Sequence, residues 1–114
     1  MDTNVQLQTI ETHITCNPPP GFGGHYFLFV TLKTSCGIHG IGEIYAAGFA
    51  PEVVCKIAKD VFARYLDGES PFQIETFWRR AHGSGFSHRP DPSMQGVVSG
   101  LEMACWDIVG KALN

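Results

Sequence analysis

The stretch that decides the fold lies at residues 26–45 and reads YFLFVTLKTSCGIHGIGEIY. It begins with residues that are apolar on both faces and then alternates, which is typical of a central β-strand. Residues 35–37 (Ser-Cys-Gly) predict a turn, because glycine supplies the positive φ that such turns need. Residues 38–45 then predict another strand. Gly40 and Gly42 leave one face of that strand without side chains, so we expect another segment of backbone to approach there.

A further strand precedes this pair at residues 5–16, which are rich in Val, Thr and Ile. Its apolar residues change parity near Thr9, and this change predicts a β-bulge or a late start of the strand. The next segment, residues 17–25 (NPPPGFGGH), contains three prolines that cannot serve a sheet ladder. We therefore expect a long loop there.

The second half of the sequence predicts three helices. Pro51 fits a first helical position, and apolar residues recur at helical spacing until Gly68 ends the run. Residues 70–73 (SPFQ) have the pattern of a capping box that opens a short helix, whose apolar stripe is Ile74, Phe77, Trp78 and Ala81. Asp91 is expected to cap the last helix, with Pro92 at its first position. The broad apolar face of that helix comprises Val97, Val98, Leu101, Ala104, Cys105, Ile108 and Ala112.

The order of the elements, three strands and then three helices, predicts the α+β class. We expect a three-stranded antiparallel meander with the helices covering one of its faces. The 114 residues suffice for one domain with a genuine core, since folding would reduce the accessible surface from roughly 18,000 Å² to roughly 6,000 Å². A β/α-barrel enzyme, which needs roughly 250 residues, cannot fit in this length.

Composition argues against several classes of function. The net charge is −3 and the eight basic residues are scattered, so no basic stripe is available for nucleic acid. No apolar run approaches the length of a membrane span. The start, MDTNVQLQT, lacks the basic and apolar regions of a signal peptide, which favours the cytoplasm. The four cysteines include no CxxC pair, so we expect buried or half-buried thiols rather than zinc ligands or disulfides.

Few groups within the chain are candidates for catalysis. His82 and His88 flank a predicted loop and could converge on a metal ion, although no third ligand has a characteristic spacing. The glycine clusters lie between two strands or between two helices, and a phosphate cradle needs one between a strand and a helix. No GxSxG sequence is present, so a hydrolase serine is not indicated.

Two acidic residues of the last helix, Glu102 and Asp107, are candidates for a catalytic acid and base. They point about 140° apart around the helix, which does not fit a paired acid and base. We expect them instead to bond to neighbouring backbone or to pair with Arg79 or Arg80.

The two predicted loops at residues 17–25 and 45–50 are apolar or aromatic and poor in charge, with Phe22, Tyr45 and Phe49 among their residues. Loops exposed to water seldom have this composition. We therefore expect them to cover a ligand, another domain or another subunit, or to fold back on the core of this domain.

Four segments of the chain have the pattern of one family when they are taken together. They are residues 34–43 (TSCGIHGIGE), the Ala-Pro at 50–51 with the helix that follows, residues 68–78 (GESPFQIETFW) and residues 99–112 (SGLEMACWDIVGKA). In this order they resemble the N-terminal capping domain of the mandelate racemase and muconate lactonizing enzyme group of the enolase superfamily. They look like its hairpin, the start of its first helix, its tryptophan segment and, as the most specific match, the signature at the end of the cap.

The resemblance implies a cap whose C-terminal β/α barrel is absent from this chain. In this group the barrel holds a lysine or histidine base, which takes a proton alpha to a carboxylate, and Mg²⁺ that stabilises the enediolate. The longer protein would thus be a Mg²⁺-dependent dehydratase or racemase of a carboxylate, with a sugar acid favoured. The 114-residue chain alone is expected to be inactive and to contribute no catalytic or metal-binding residue. Expected partners are the barrel, the small carboxylate substrate and further copies in a homo-oligomer, with no nucleic acid and no membrane.

The resemblance also implies a role for the two apolar loops. In the group, two cap loops close over the mouth of the barrel, help to select the substrate and exclude water. They match residues 17–25 and 45–49 here, and the substrate-proximal residues would be Asn17, Pro20, Phe22, His25, Tyr45 and Phe49. Residues 18–24 (PPPGFGG) and 83–92 (GSGFSHRPDP) look like the corresponding segments of acid-sugar dehydratases within the group.

Two other functions stay open on the residues alone. A free-standing interaction domain could bind a protein partner through the apolar loops at residues 17–25 and 45–50. A small complete enzyme could instead use His82 or His88. The coding sequence downstream of Asn114 separates the first alternative from the cap, because only a cap requires a barrel to follow.

Overall fold

The computed structural model describes residues 4–16, 26–45, 50–85 and 91–114 of the chain. Three strands are followed by three helices, which confirms the predicted α+β class. The strands are β1 (Leu7–Thr15), β2 (Phe27–Thr34) and β3 (His39–Ile44), and the helices are α1 (Pro51–Tyr65), α2 (Ile74–Gly83) and α3 (Pro92–Leu113). Within these ranges no helix combines the length and the apolar character that crossing a bilayer would require.

The sheet is an antiparallel meander in the order β1-β2-β3, so β2 is the central strand, as predicted. The register of β1 against β2 shifts between Leu7 and Thr9, which confirms the irregularity predicted near Thr9. Thr34 closes the turn after β2. Its hydroxyl donates to the carbonyl oxygen of Ile38 at 2.9 Å and accepts from the N–H of Ile38 at 3.0 Å. Gly37 within this turn has a φ of 88°, as the turn prediction requires.

The core lies between the sheet and the helices. Leu28, Val30 and Leu32 of β2 are fully buried because they point toward the helices, whereas the residues between them are only half-buried. From the predicted apolar face of α3, every residue except Ala112 is buried. Burial of these side chains is the main source of the stability of the domain.

Strand β3 and helix α3 are in direct backbone contact. A Cβ atom at Gly42 would collide with the carbonyl oxygen of Gly100, and one at Gly40 would collide with that of Ala104. On the helix side, a Cβ atom at Gly100 would lie 2.5 Å from Cγ1 of Ile44. The prediction that backbone approaches Gly40 and Gly42 is therefore confirmed. We call the contact of Gly40 and Gly42 on β3 with Gly100 and Ala104 on α3 the glycine seam.

The start of α2 differs from the predicted capping box. The Ser70 hydroxyl accepts a hydrogen bond from the N–H of Phe72 at 3.1 Å and so closes a turn, and the helix begins only at Ile74. Trp78 was expected in the buried stripe of this helix but is 42% exposed. The reason is geometrical. Positions 74, 77 and 81 face the core, and Trp78 lies about 100° around the helix from Phe77, at the border of that face.

The four cysteines are free thiols, and the prediction of their burial holds for half of them. Cys55 and Cys105 are buried in the core, and burial raises the pKa of the Cys105 thiol to about 12. Cys16 and Cys36 are exposed because they lie just beyond β1 and in the turn after β2.

Thiol accessibility is a direct check of this arrangement. In the folded protein we expect Cys16 and Cys36 to react quickly with a disulfide reagent such as DTNB, since both are exposed. Cys55 and Cys105 should react only after unfolding in urea. Stopped-flow absorbance at 412 nm counts the thiols that react quickly and those that react slowly. The Cys36→Ser variant should have one quickly reacting thiol fewer than the wild type. Fast reaction of Cys105 in the folded state would contradict its placement in the core.

Candidate functional site

Three strands and the last helix meet at one end of the sheet. The last residue of β1 pairs with the first residue of β2, and Leu28 of β2 pairs with Ile44 at the end of β3. Helix α3 starts nearby, since a Cβ atom at Gly96 would lie 2.5 Å from the carbonyl oxygen of Tyr45. We call this region the loop end, and it is marked by Cys16, Tyr26, Tyr45 and Asp91. The described residues between the strands and the segments 17–25 and 46–49 are Cys16, Tyr26 and Tyr45, and they therefore lie at the same end of the sheet.

Of the six predicted substrate-proximal residues, Tyr45 is the one that the described ranges include. It directly follows β3 at the loop end and is 71% exposed, so its ring and hydroxyl are accessible. An exposed tyrosine offers both an apolar surface and a hydrogen-bonding group to a ligand. The other five lie outside the described residues: Asn17, Pro20, Phe22, His25 and Phe49.

An open cavity of about 320 Å³ lies beside Tyr45, between the end of β3 and the first turns of α3. The polar side chains that line it are those of Glu43, Gln95 and Ser99, and Met103 adds an apolar wall. These groups offer hydrogen-bond donors and acceptors of the kind that a hydroxylated ligand needs. The sequence did not point to the residues of α3 in this cavity, because helical periodicity marks only the face that packs on the core.

Two local features set the course of the backbone at the loop end. The Asp91 carboxylate accepts hydrogen bonds from the N–H groups of Ser93 at 3.1 Å and Met94 at 3.2 Å, which confirms the predicted cap of α3. Ala50, just before Pro51, has a φ of 49° and a ψ of 58°. This left-handed conformation costs an L-residue roughly 1–2 kcal/mol. Strain of this kind concentrates near functional segments, and here it borders residues 46–49.

His82 is engaged by its own helix rather than in a metal site. Its Nδ1 lies 2.8 Å from the carbonyl oxygen of Trp78 and must therefore carry the proton, because a carbonyl can only accept. Its Nε2 lies 3.3 Å from Oε1 of Gln95. No three His, Cys, Asp or Glu side chains converge in the described parts of the chain, and His88 lies outside them. The described His, Cys, Asp and Glu residues therefore do not provide a set of ligands for Mg²⁺, and we derive no metal-dependent step from them.

Asp107 and Lys111 bind the free edge of the sheet. The Asp107 carboxylate accepts from the N–H of Ile41 at 2.9 Å, and the Lys111 ammonium donates to the carbonyl oxygen of His39 at 2.7 Å. The two side chains also form an ion pair at 3.0 Å. Ile41 and His39 lie on β3, which is an edge strand, and unpaired groups on an edge strand invite pairing with other chains. The expectation that this acid bonds to backbone is thus confirmed.

The other alternative for the acids of α3, pairing with Arg79 or Arg80 of α2, is not what the structure shows. Arg79 lies 3.3 Å from Glu75, one helical turn earlier, and Arg80 lies 3.6 Å from Glu69. Both arginines are exposed. Arg79 pairs within α2, and Arg80 pairs with an acid of the segment that precedes this helix. Such exposed pairs contribute little to stability.

The bond from Ile41 and the nearby Lys111 hold the pKa of Asp107 below its ordinary value, although partial burial acts in the opposite direction. We expect Asp107→Ala to lower the free energy of unfolding by about 1.5 kcal/mol at pH 7, as befits hydrogen bonds to a charged group. Since the native pKa is lower than the unfolded value of about 3.9, this contribution is complete above that pH. It is lost as the pH falls through the native pKa.

Urea unfolding from pH 7 to pH 2 tests this expectation. The stabilities of the wild type and Asp107→Ala should converge in acid. Asp60→Ala, which breaks an exposed pair with Arg64 on α1, should be nearly neutral at every pH. A deficit in Asp107→Ala that stays constant down to pH 2 would refute the assigned role of the carboxylate.

Three antiparallel strands, three helices on one face and a shared loop end define the enolase-type N-terminal capping domain. The chain belongs to the mandelate racemase/muconate lactonizing enzyme family, whose N-terminal domain model matches residues 21–114.

Solved structures and a curated relative agree with this assignment. A mandelate racemase/muconate lactonizing enzyme from Jannaschia sp. CCS1 shares 51% identity and superposes with a TM-score of 0.84, over 96% of this chain and 28% of that one. A proposed member from Labrenzia alexandrii DFL-11 shares 56% identity with a TM-score of 0.84, over 95% of this chain and 28% of that one. D-galactonate dehydratase from Klebsiella pneumoniae (strain 342) is 34% identical over 88 residues, 77% of this chain. The chain spans only 22% of the length of that dehydratase.

Proposed function

We propose that this domain is the substrate-selecting cap of a larger enzyme that removes the proton alpha to the carboxylate of a sugar acid. The observation that carries the proposal is the match of residues 21–114 to the N-terminal domain of a family whose solved members are several times longer. A C-terminal β/α barrel would supply the base and would hold Mg²⁺, which stabilises the enediolate when bound.

The role of this chain is to shape the substrate end of the active site. Tyr45 is exposed at the loop end, and the cavity beside it is lined by Glu43 and Ser99. Hydroxyl, amide and carboxylate groups in such a cavity can bind the hydroxyl groups of a sugar acid. By covering the reaction site the cap would also exclude water and so strengthen the electrostatic interactions there. The similarity to D-galactonate dehydratase supports a sugar acid as the substrate class.

The test uses the full-length protein with a panel of sugar acids. We expect Mg²⁺-dependent dehydration or epimerisation of at least one of them, abolished by EDTA and restored by added Mg²⁺. Tyr45→Ala should change the ratio of kcat/KM between two sugar acids by about tenfold, because it alters a contact with the substrate and not the base. Tyr65→Phe alters a tyrosine at the far end of α1, away from the loop end, and serves as a control that should leave that ratio unchanged.

Two results would overturn the proposal. One is an unaltered preference among sugar acids in Tyr45→Ala when the control is also unaltered. The other is a native stop codon directly after Asn114, which would favour a free-standing interaction domain.

A further inference from the structure

Both tryptophans of the chain line one groove between α2 and α3. This tryptophan groove has a volume of about 390 Å³, and Trp78 and Trp106 stand on its two sides. Phe72, Ile74 and Val109 complete its apolar lining. Trp78 is 42% exposed and Trp106 is 58% exposed, so the groove is an open surface and not part of the core. Its lining is mainly apolar, and Glu75 and Glu102 contribute to it as well.

The two indole rings are held in place on this surface. The ring of Trp78 stacks on that of His82, with the ring centroids 3.7 Å apart. The indole N–H of Trp106 donates to the Glu102 carboxylate at 3.4 Å. Rings that are already oriented lose little conformational entropy when a partner covers them. Tryptophan is also the residue type that most often dominates binding energy at protein interfaces.

The position of the groove indicates what covers it. Trp106, Val109 and Leu113 recur at helical spacing and form a stripe that leads to the end of α3, where Leu113 is 60% exposed. The family model is that of an N-terminal domain, so in the longer relatives the rest of the polypeptide follows this helix. A segment attached at the end of the stripe has a high effective concentration next to the groove.

We propose that an apolar segment of the C-terminal domain packs into the tryptophan groove and thereby fixes the cap on the barrel. The inference rests on the proposed function in one respect only, since it requires that a C-terminal domain follows α3. The contact is separate from the loop end, because none of the residues that line the groove lines the cavity beside Tyr45. The groove would hold the domains together while the loop end meets the substrate.

The experiment labels the full-length protein with 5-fluorotryptophan and assigns the two signals with Trp78→Phe and Trp106→Phe. Relaxation by a soluble gadolinium chelate then reports the exposure of each indole. We expect both signals to be shielded, and the shielding to persist when the protein is diluted to the monomer. Signals that relax as fast as free 5-fluorotryptophan would overturn the proposal. Shielding that disappears on dilution would also overturn it, because a second copy would then be the occupant.

A pair of variants measures the strength of the contact. Trp106→Ser is expected to speed proteolytic cleavage at the junction after α3 by about tenfold, as the loss of a strong interface residue would. Val53→Ser removes an equally exposed apolar side chain from α1 and should leave the cleavage rate unchanged. Equal rates for both variants and the wild type would contradict the proposal. Shielded indoles in a protein that acts on no sugar acid would refute the proposed function and leave this inference standing.

Discussion

Gly42→Ala is expected to lower the free energy of unfolding by about 3 kcal/mol, at the upper end of the range for an overpacked core. The added methyl group would occupy the space of the Gly100 carbonyl oxygen, which is backbone and cannot turn aside. Relief requires α3 to move away from β3, and that movement would open the core beneath Leu101 and Ile108. The expected loss thus exceeds anything that the new apolar surface could contribute.

Urea unfolding followed by far-UV circular dichroism measures the loss. Gly110→Ala makes the identical chemical change on α3 at a place where an added Cβ atom meets nothing within 4 Å. That control should stabilise the domain by about 0.5 kcal/mol, because alanine is the better helix former. A Gly42→Ala variant within 0.5 kcal/mol of the wild type would show that the glycine seam is not tightly packed.

Phe77→Ala is expected to cost about 4 kcal/mol, as for other buried aromatic residues cut back to alanine. Phe77 is one of three buried residues on α2, together with Ile74 and Ala81. The helix has ten residues, and a helix of that length is not stable in water without tertiary packing. We therefore expect α2 to detach from the domain before the sheet unfolds.

Hydrogen exchange detected by mass spectrometry distinguishes this local loss from a global one. In Phe77→Ala the amides of α2 should exchange much faster, while those of β2 retain most of their protection. Phe27→Ala is the control, because it truncates the same residue type at a position that is 47% exposed on the sheet. It should change the stability by less than about 1 kcal/mol. Uniform loss of protection in every element of Phe77→Ala would contradict the local detachment.

Much of this fold could be predicted because the local signals agree with the tertiary structure. Proline at position 51, the Asp91 cap and the change of parity near Thr9 each appear where the sequence places them. The partner of the glycines on β3 could not be predicted, since a residue without a side chain carries no pattern that identifies what it contacts. The predicted start of α2 is wrong because the Ser70 hydroxyl accepts from the N–H of Phe72, whereas a capping box requires that of Gln73.

The candidate sites were predictable only in part, and for physical reasons. Trp78 belongs to the predicted apolar stripe of α2, whereas Trp106 lies outside the predicted apolar face of α3. Both are exposed in the domain, and the apolar character of a residue does not by itself show whether it lies in the core. The bond between Asp107 and Ile41 joins residues 66 positions apart, and no local rule relates them. Tyr45 was identified through family resemblance and lies exposed at the loop end, where its contact with substrate stays a prediction.

The glycine seam also determines how the domain can move. Packed elements slide past one another when the side chains between them change rotamer. Gly42 and Gly100 contribute no side chain between β3 and α3, and we therefore expect the strand and the helix to rotate together as one rigid lever. Helix α3 extends from Pro92 at the loop end to Leu113, beyond the tryptophan groove, over about 33 Å at the usual helical rise. We therefore expect a tilt at one end of this lever to move the other end as well.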